Sequence, residues 1–287
     1  MYAHFMRKNH SNNHKGIPDD NKVSFAHKKS LGQNFLTSEV VPGWMCDAGK
    51  VTSDDIVLEI GPGIGILTKV LLERGARVIA VETDERAIVE LRTSFPKELK
   101  SGQLEIHHND IRETNLTQLG LEHQQFKIVA NIPYFLSGFL FRLFLDNKIQ
   151  PTSLTFLIQK ELAFRIARDK KESLLSLSVK AFGRPTYIRA VGRGHFFPKP
   201  KVDSAILTIN DINHDNFKNV DEQTFFDTIH LGLGNKRKQL LGNLSKKYER
   251  TDLINIFDKL EISQTIRGED LALETWLQLS KDLEHLK

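Results

Sequence analysis

The chain carries a short motif of polar and aromatic residues, Asn131-Ile132-Pro133-Tyr134, directly after the apolar run FKIVA of residues 126–130. The Asn131 side-chain oxygen and the Ile132 carbonyl can both accept hydrogen bonds from an exocyclic amine. Pro133 restricts the turn, and Tyr134 offers a face on which a flat ring can stack. The motif therefore suits the binding of a planar, amino-bearing base. A proline turn that ends a strand and packs a tyrosine is the structural alternative.

A glycine-rich turn precedes this motif in the chain, in the segment IVLEIGPGIG of residues 56–65. Gly61, Gly63 and Gly65 stand at alternate positions after a buried strand, and glycine lets the backbone approach a ligand closely. The helical pattern that follows would direct its N-terminal amides at whatever lies over the turn. Taken alone, such a turn is as often a tight connection without a ligand. The order E-x-G-x-G-x-G, led by Glu59, argues against a dinucleotide and favours S-adenosylmethionine.

Acidic residues follow the next two predicted strands. The strand over residues 77–81 leads into Glu82, about 20 residues beyond the turn, where doubly wound folds place a carboxylate for ribose hydroxyls. The strand over residues 104–107 is followed by Asp110, which can accept from the amine of an adenine or simply cap the next turn. The carboxyl ends of parallel strands bound the ligand crevice in such folds, and Asn131 follows the fourth strand of this series.

The composition is that of an ordinary soluble protein with a modest positive charge. Among its 287 residues, 40 Lys and Arg stand against 36 Asp and Glu, which allows a polyanionic partner without requiring one. The single cysteine, Cys46, excludes an intramolecular disulfide and fits a reducing cytoplasm. The longest apolar stretch, residues 135–145, is short and contains Arg142, and the N-terminus lacks the apolar segment of a signal peptide. We therefore expect a cytoplasmic protein that does not span a membrane.

The sequence divides into three parts. Residues 1–26 are polar and aperiodic, which predicts a flexible arm whose histidines are incidental rather than metal ligands. Residues 27–209 alternate strand and helix patterns, as in a doubly wound α/β domain. Helical spacing begins again at Asp221, so residues 220–287 are predicted to form a smaller helical domain with Trp276 in its core.

The segment HKKSLGQNFL, residues 27–36, joins a basic pair to an apolar end. One interpretation is that it folds over the cofactor site, with Lys28 and Lys29 facing phosphate. The other is a loop in which Asn34 or Ser38 caps the helix that follows.

Together these motifs resemble the KsgA-type ribosomal RNA adenine dimethyltransferases. The matching segments, in chain order, are LGQNFL, EIGPGIG, the strand-end Glu82, NDI, NIPY, QKE of residues 159–161 and FPKPKVDSAIL of residues 197–207. The related macrolide-resistance methyltransferases of large-subunit rRNA share many of these motifs, but the VDSAIL form and the long helical C-terminal region favour the KsgA side. The resemblance implies an α/β fold, in which a Rossmann-like class I S-adenosylmethionine methyltransferase domain is followed by a small C-terminal helical domain for RNA recognition.

The resemblance also implies roles for single residues. It places S-adenosylmethionine against Asn34, Leu36, Gly61, Gly63, Glu82, Asp110 and Asn131. It places the target adenine at Asn131, Ile132, Pro133 and Tyr134, with a second aromatic that is Phe196 or Phe197; the spacing to the Pro-Lys-Val run favours Phe196. Where the family usually reads NLPYNIS, this chain reads NIPYFLS, so Phe135 replaces a small polar residue beside the target pocket.

Positive charge is clustered on both sides of the base-binding motifs. Between Lys160 and Lys201 there are eleven Lys and Arg against three Asp and Glu, and a second cluster begins at Lys236. Either cluster alone could be a solvated helix face, but two together favour contact with phosphate. The predicted RNA-binding residues are Lys28, Lys29, Lys199, Lys201, Lys236, Arg237 and Lys238.

The resulting hypothesis is S-adenosylmethionine-dependent N6-dimethylation of adenines in small-subunit (16S) ribosomal RNA. The expected partner is ribosomal RNA or a precursor of the small subunit, and the expected enzyme is a monomer without a metal. One alternative is a large-subunit rRNA methyltransferase that confers macrolide resistance. Another is a non-catalytic RNA-binding assembly or transcription factor with a methyltransferase fold.

Overall fold

The structure, a computed structural model, describes residues 34–286. The predicted arm of residues 1–26 and the predicted RNA contacts Lys28 and Lys29 lie outside this range. The strands within it are β1 (Phe35–Leu36), β2 (Ile56–Ile60), β3 (Arg77–Glu82), β4 (Leu104–His108), β5 (Lys127–Asn131), β6 (Ser153–Gln159), β7 (Arg184–Val191), β8 (Phe196–Phe197) and β9 (Ser204–Asn210).

Seven of these described strands form one sheet in the order β4-β3-β2-β5-β6-β9-β7. The first five are parallel, whereas β9 pairs antiparallel with both β6 and β7. Strands β2 and β6 are almost continuously buried, because helices cover both faces of the sheet. The strands predicted around residues 56–60, 77–81, 104–107 and 126–130 are confirmed, and Asn131 is the last residue of β5.

Eleven helices lie within the described range. They are α1 (Val40–Ala48), α2 (Ile66–Glu73), α3 (Glu85–Ser94), α4 (Pro96–Ser101), α5 (Ser137–Leu145), α6 (Lys160–Ala167), α7 (Leu174–Phe182), α8 (Glu222–Leu233), α9 (Leu240–Leu244), α10 (Arg250–Lys259) and α11 (Leu273–Glu284). Helices α1 and α2 contribute to one apolar core cluster, and α5, α6 and α7 contribute to another. The sheet therefore carries an apolar core on each face.

A third apolar cluster is built from helices α8 to α11. Trp276 lies at its centre and is fully buried, as predicted. Helix α7 joins this cluster to the sheet, since Leu177 and Ala181 belong to the helical cluster while Val179 and Phe182 belong to the core of the sheet. The α/β fold with a small helical C-terminal part is thus confirmed, and the two parts share one helix. No helix between residues 34 and 286 is long and apolar enough to cross a membrane.

Candidate active site

The turn after β2 has a left-handed backbone at its glycines. Gly61 has φ +63° and Gly63 has φ +58°, a region in which side chains other than glycine are strained. A Cβ placed on Gly61 would meet no atom within 4 Å, whereas one on Gly63 would lie 3.1 Å from the Phe35 ring. Gly61 therefore leaves open space at the turn, and Gly63 allows β1 to pack closely over it.

Glu82, at the end of β3, holds this turn through hydrogen bonds to its backbone. Its Oε2 accepts a hydrogen bond from the Gly63 amide at 3.1 Å, and its Oε1 accepts from the amides of Thr83 and Asp84 at 2.8 and 2.9 Å. The side chain is only 2% exposed. The carboxylate thus has a structural role at the turn. The predicted contact to ribose hydroxyls stays a prediction.

Glu59 is a second buried carboxyl group at the site, and sequence reasoning did not place it there. It lies in β2, and its Oε2 accepts from the Thr68 hydroxyl of α2 at 2.7 Å. Burial raises the pKa of the Glu59 carboxyl from 4.5 to about 8; the Thr68 hydrogen bond opposes this rise, and the Glu82 charge adds a smaller contribution in the same direction as burial. It lines a recess that Leu36 and Asn131 also line. Its position as the leading residue of E-x-G-x-G-x-G was the available signal.

Asn131 is held in one orientation at the end of β5. Its Nδ2 donates to the backbone carbonyl of Asn34 at 3.1 Å. Among the described residues no donor is assigned to Oδ1, so that oxygen is left as an acceptor. Asn34 therefore contacts the NIPY motif through its main chain. That the whole segment of residues 27–36 folds over the cofactor site stays a prediction.

A cleft at the carboxyl ends of β2 and β5 gathers most of the predicted site residues. Its lining consists of Asn34, Phe35, Gly61, Gly63, Asn131, Ile132, Pro133, Tyr134 and Phe196. Leu36 is buried and lines the adjoining recess. Phe35 was not predicted, although it stands inside the LGQNFL motif.

The two aromatic residues of this cleft are held by separate contacts. The Tyr134 hydroxyl and the Ser204 hydroxyl of β9 are 2.7 Å apart, and burial raises the pKa of the Tyr134 hydroxyl. Phe196 is buried in β8, where it pairs with Leu36 of β1. Phe197 is 66% exposed and is not part of the cleft lining. Of the two candidates, Phe196 is the one that shares the cleft with Tyr134.

Asp110 lies apart from this cleft lining. Its carboxylate accepts from the Arg112 guanidinium at 2.6 to 3.0 Å and from the Arg112 amide at 2.9 Å. These bonds hold the pKa of the Asp110 carboxyl below its usual range. The structure thus shows the capping arrangement. A contact to an adenine amine remains a prediction.

The predicted RNA-binding residues fall into two places. Lys199 and Lys201 are exposed on the loop after β8, beside the aromatic cleft. Lys236 and Lys238 line a second cleft between the sheet and the helical part, together with Arg165 of α6. Arg165 was not singled out by the sequence, because nothing in its local pattern indicates that it faces residues seventy positions away.

Not every basic residue of the first cluster is available for RNA. Lys180 pairs with Glu172 at 2.5 Å, and Arg184 pairs with Asp211 at 3.3 Å. Lys171 pairs with Glu269 and thereby links the segment before α7 to the helical part. The charge of this region therefore serves the fold as well as any ligand. Among residues 34–286 no group of His, Cys, Asp and Glu is arranged to hold a metal ion.

Comparison with known proteins assigns the chain to one family. The family described as Ribosomal RNA adenine dimethylase matches residues 24–285. A relative from Dehalococcoides mccartyi, named Ribosomal RNA small subunit methyltransferase A, is 34% identical over 255 residues, which cover 88% of this chain and 87% of that protein.

Two solved structures share the fold. A dimethyladenosine transferase from Plasmodium falciparum gives a TM-score of 0.73 at 24% identity and covers 88% of this chain and 98% of its own. The 23S rRNA methyltransferase ErmE gives a TM-score of 0.67 at 23% identity, and the alignment covers 88% of this chain and 100% of the ErmE chain. At such identities the likeness extends to the fold and not to the substrate.

Proposed function

Because the chain belongs to the ribosomal RNA adenine dimethylase family, we propose that it dimethylates N6 of adenines in small-subunit (16S) ribosomal RNA, using S-adenosylmethionine. The name of the relative that is 34% identical supports the small subunit as the target. The observation that carries the proposal is the Asn131 amide, fastened to the Asn34 carbonyl and left with a free acceptor oxygen in a cleft lined by Tyr134 and Phe196.

The residues at the glycine turn fit the methyl donor. Space is open beside Gly61, and the buried carboxyl groups of Glu59 and Glu82 lie at the same turn. When bound, S-adenosylmethionine supplies an electrophilic methyl group. The residues proposed to hold it are Asn34, Leu36, Gly61, Gly63, Glu82, Asp110 and Asn131.

The main task of the protein in this reaction is to align the adenine amine with the methyl group. An adenine amine is a poor nucleophile, because its lone pair is delocalised into the ring. Acceptors at Asn131 Oδ1 and the Ile132 carbonyl favour a more pyramidal nitrogen, while Tyr134 and Phe196 hold the base from its two faces. Rate enhancement then comes from orientation and fixed dipoles. No strong base is required, since the nitrogen becomes acidic once methylated.

The substrate must present its adenine outside the base stack. Unpaired loops and distorted helix ends make that extrusion less costly. We propose that Lys199 and Lys201 contact phosphate beside the cleft, and that Lys236, Arg237 and Lys238 contact it farther away. We propose small-subunit rRNA or its precursor particle as the partner, and a monomer that acts in the cytoplasm.

Labelled methyl transfer tests the proposal directly. The full chain is incubated with labelled S-adenosylmethionine and with small or large ribosomal subunits from cells that lack this enzyme, and the RNA is digested for mass spectrometry. Dimethyladenosine in small-subunit RNA is the expected product. Label confined to large-subunit RNA would point to the resistance-type activity, and no label in either would leave a non-catalytic RNA-binding protein.

A further inference from the structure

Two exposed phenylalanines follow the NIPY motif in the chain and are not part of the cleft lining. Phe135 is 67% exposed in the short 3-10 turn Tyr134–Leu136, and Phe139 is 41% exposed in the first turn of α5. Residues four apart on helical backbone lie on the same face. Phe135 directly follows Tyr134, which lines the cleft. Both rings are therefore exposed on the segment that directly follows the NIPY motif.

The fold does not require this surface. Helix α5 already buries Leu140, Phe141, Phe144 and Leu145 against the sheet. A single exposed apolar residue is common and needs no explanation. Two exposed aromatic rings four residues apart, directly after a cleft-lining tyrosine, are more typical of a contact surface. Neither ring is part of the cleft lining, so Phe135 leaves the space for the target amine unchanged.

Positive charge accompanies these rings. Lys199 and Lys201 are exposed on the loop after β8, which follows the cleft residue Phe196. Neither has an acidic partner within ion-pair distance among residues 34–286. Aromatic faces next to unpaired cations are the combination by which proteins bind single-stranded nucleic acid, since bases stack on the rings and phosphates meet the charges.

We infer that Phe135, supported by Phe139, is a stacking platform for the nucleotide adjacent to the everted adenine. The inference rests on the proposed function, because eversion of one base removes a stacking partner from its neighbour. A ring at Phe135 can replace that partner. The platform would add a contact outside the pocket proposed for the target adenine, since Phe135 is not part of the cleft lining.

The first test compares substitutions at Phe135 in methyl transfer to undermethylated small subunits. Stacking on an aromatic ring changes affinity by about 5- to 150-fold, so Phe135→Ala and Phe135→Leu should raise KM for RNA at least 5-fold. Phe135→Trp should keep it. KM for S-adenosylmethionine and the melting temperature should stay unchanged in all three. Phe164→Ala is the matched control, since Phe164 is 45% exposed on α6 outside the cleft lining.

The second test removes the neighbouring base itself. Synthetic RNA hairpins carrying an abasic site on the 5′ or the 3′ side of the target adenine are bound to the wild type and to Phe135→Ala, with affinity measured by fluorescence anisotropy. If the ring stacks on that base, the two changes together should cost no more than either alone on one side. Fully multiplicative losses on both sides, or an unchanged KM in the first test, would overturn the inference. A wild type that transfers no methyl group to RNA would instead defeat the proposed function.

Discussion

Gly61 in the cleft and Gly232 in the helical cluster of α8 to α11 differ in the space beside their Cα atoms. At Gly61 a Cβ would point into open space, whereas at Gly232 it would lie 2.4 Å from the Trp276 ring. Gly61 leaves open space at the turn, which we propose the cofactor occupies. The glycine of the helical cluster lets two helices close on each other. At these two glycines, the space beside the Cα therefore distinguishes an open turn from a packing contact.

The asparagine side chains of the two regions differ in burial: Asn131 is half-buried at the cleft, whereas Asn243 is 1% exposed. Asn131 uses its Nδ2 on one carbonyl and keeps Oδ1 toward the cleft. Asn243 of α9 uses its Nδ2 on the carbonyls of Gly232 and Asn235, at 2.6 and 3.1 Å, within the helical cluster. We expect changes in the cleft to alter chemistry at little cost in stability, and changes in the cluster to do the reverse.

The largest effect is expected at Asn131. Asn131→Ala removes the acceptor that orients the target amine, and loss of one preorganised group of this kind lowers kcat by about 10²- to 10³-fold. Single-turnover methyl transfer should show that loss, while calorimetry should show S-adenosylmethionine binding within a few-fold of the wild type.

Asn243→Ala is the matched control for Asn131→Ala. It should lower the free energy of unfolding by about 1 to 3 kcal/mol, because the buried Gly232 carbonyl and the part-buried Asn235 carbonyl lose their donor. Its kcat per folded molecule should remain near that of the wild type. Equal losses of kcat in Asn131→Ala and Asn243→Ala would contradict the expectation that the cleft serves chemistry and the helical cluster serves stability.

The next largest effect concerns Glu59. Its pKa in the folded state, about 8, lies above the ordinary 4.5. Its contribution to stability is therefore fully present below pH 4.5 and is lost as the pH rises through 8, with a slope of about 1.4 kcal/mol per pH unit. Glu59→Gln should remove this slope, so by pH 8 the variant should gain a few kcal/mol relative to the wild type.

Urea unfolding at several pH values between 5 and 9 measures this difference. Glu73→Gln serves as the control, because the Glu73 side chain is 61% exposed on α2 and should give no such trend. A Glu59→Gln curve parallel to that of the wild type would mean that the buried carboxyl is charged throughout.

The elements beneath the cleft are predictable because their signals are local. Each strand is a buried apolar run, and the residue that ends it belongs to a recognisable motif, as Glu82 and Asn131 do. The bonds that complete the site are not local. Asn131 meets Asn34 across 97 positions and Tyr134 meets Ser204 across 70. Such pairs depend on how the sheet orders its strands, which no short pattern reports.

A packing effect of intermediate size is expected at Gly232. Gly232→Ala places a methyl group against Trp276 and Leu240, and overpacking of this kind costs about 1 to 3 kcal/mol. Gly242→Ala is its control, since a Cβ there meets no atom within 4 Å and alanine favours helix α9. Thermal unfolding should therefore separate the two variants, with Gly232→Ala lower and Gly242→Ala at or above the wild type. Similar melting temperatures would show that the helical cluster is looser than its contacts indicate.

The smallest effect is expected from the hydrogen bond between Tyr134, which follows β5, and Ser204 of β9. Tyr134→Phe keeps the stacking face but leaves the buried Ser204 hydroxyl without this partner, and Ser204→Ala frees the phenol. Each change should lower kcat/KM for RNA by about 2- to 10-fold, the usual range for one hydrogen bond. If the bond acts by holding the ring, the double variant should lose no more than either single variant, because both polar groups are then absent. Losses that multiply in the double variant would show that Ser204 acts independently of the Tyr134 ring.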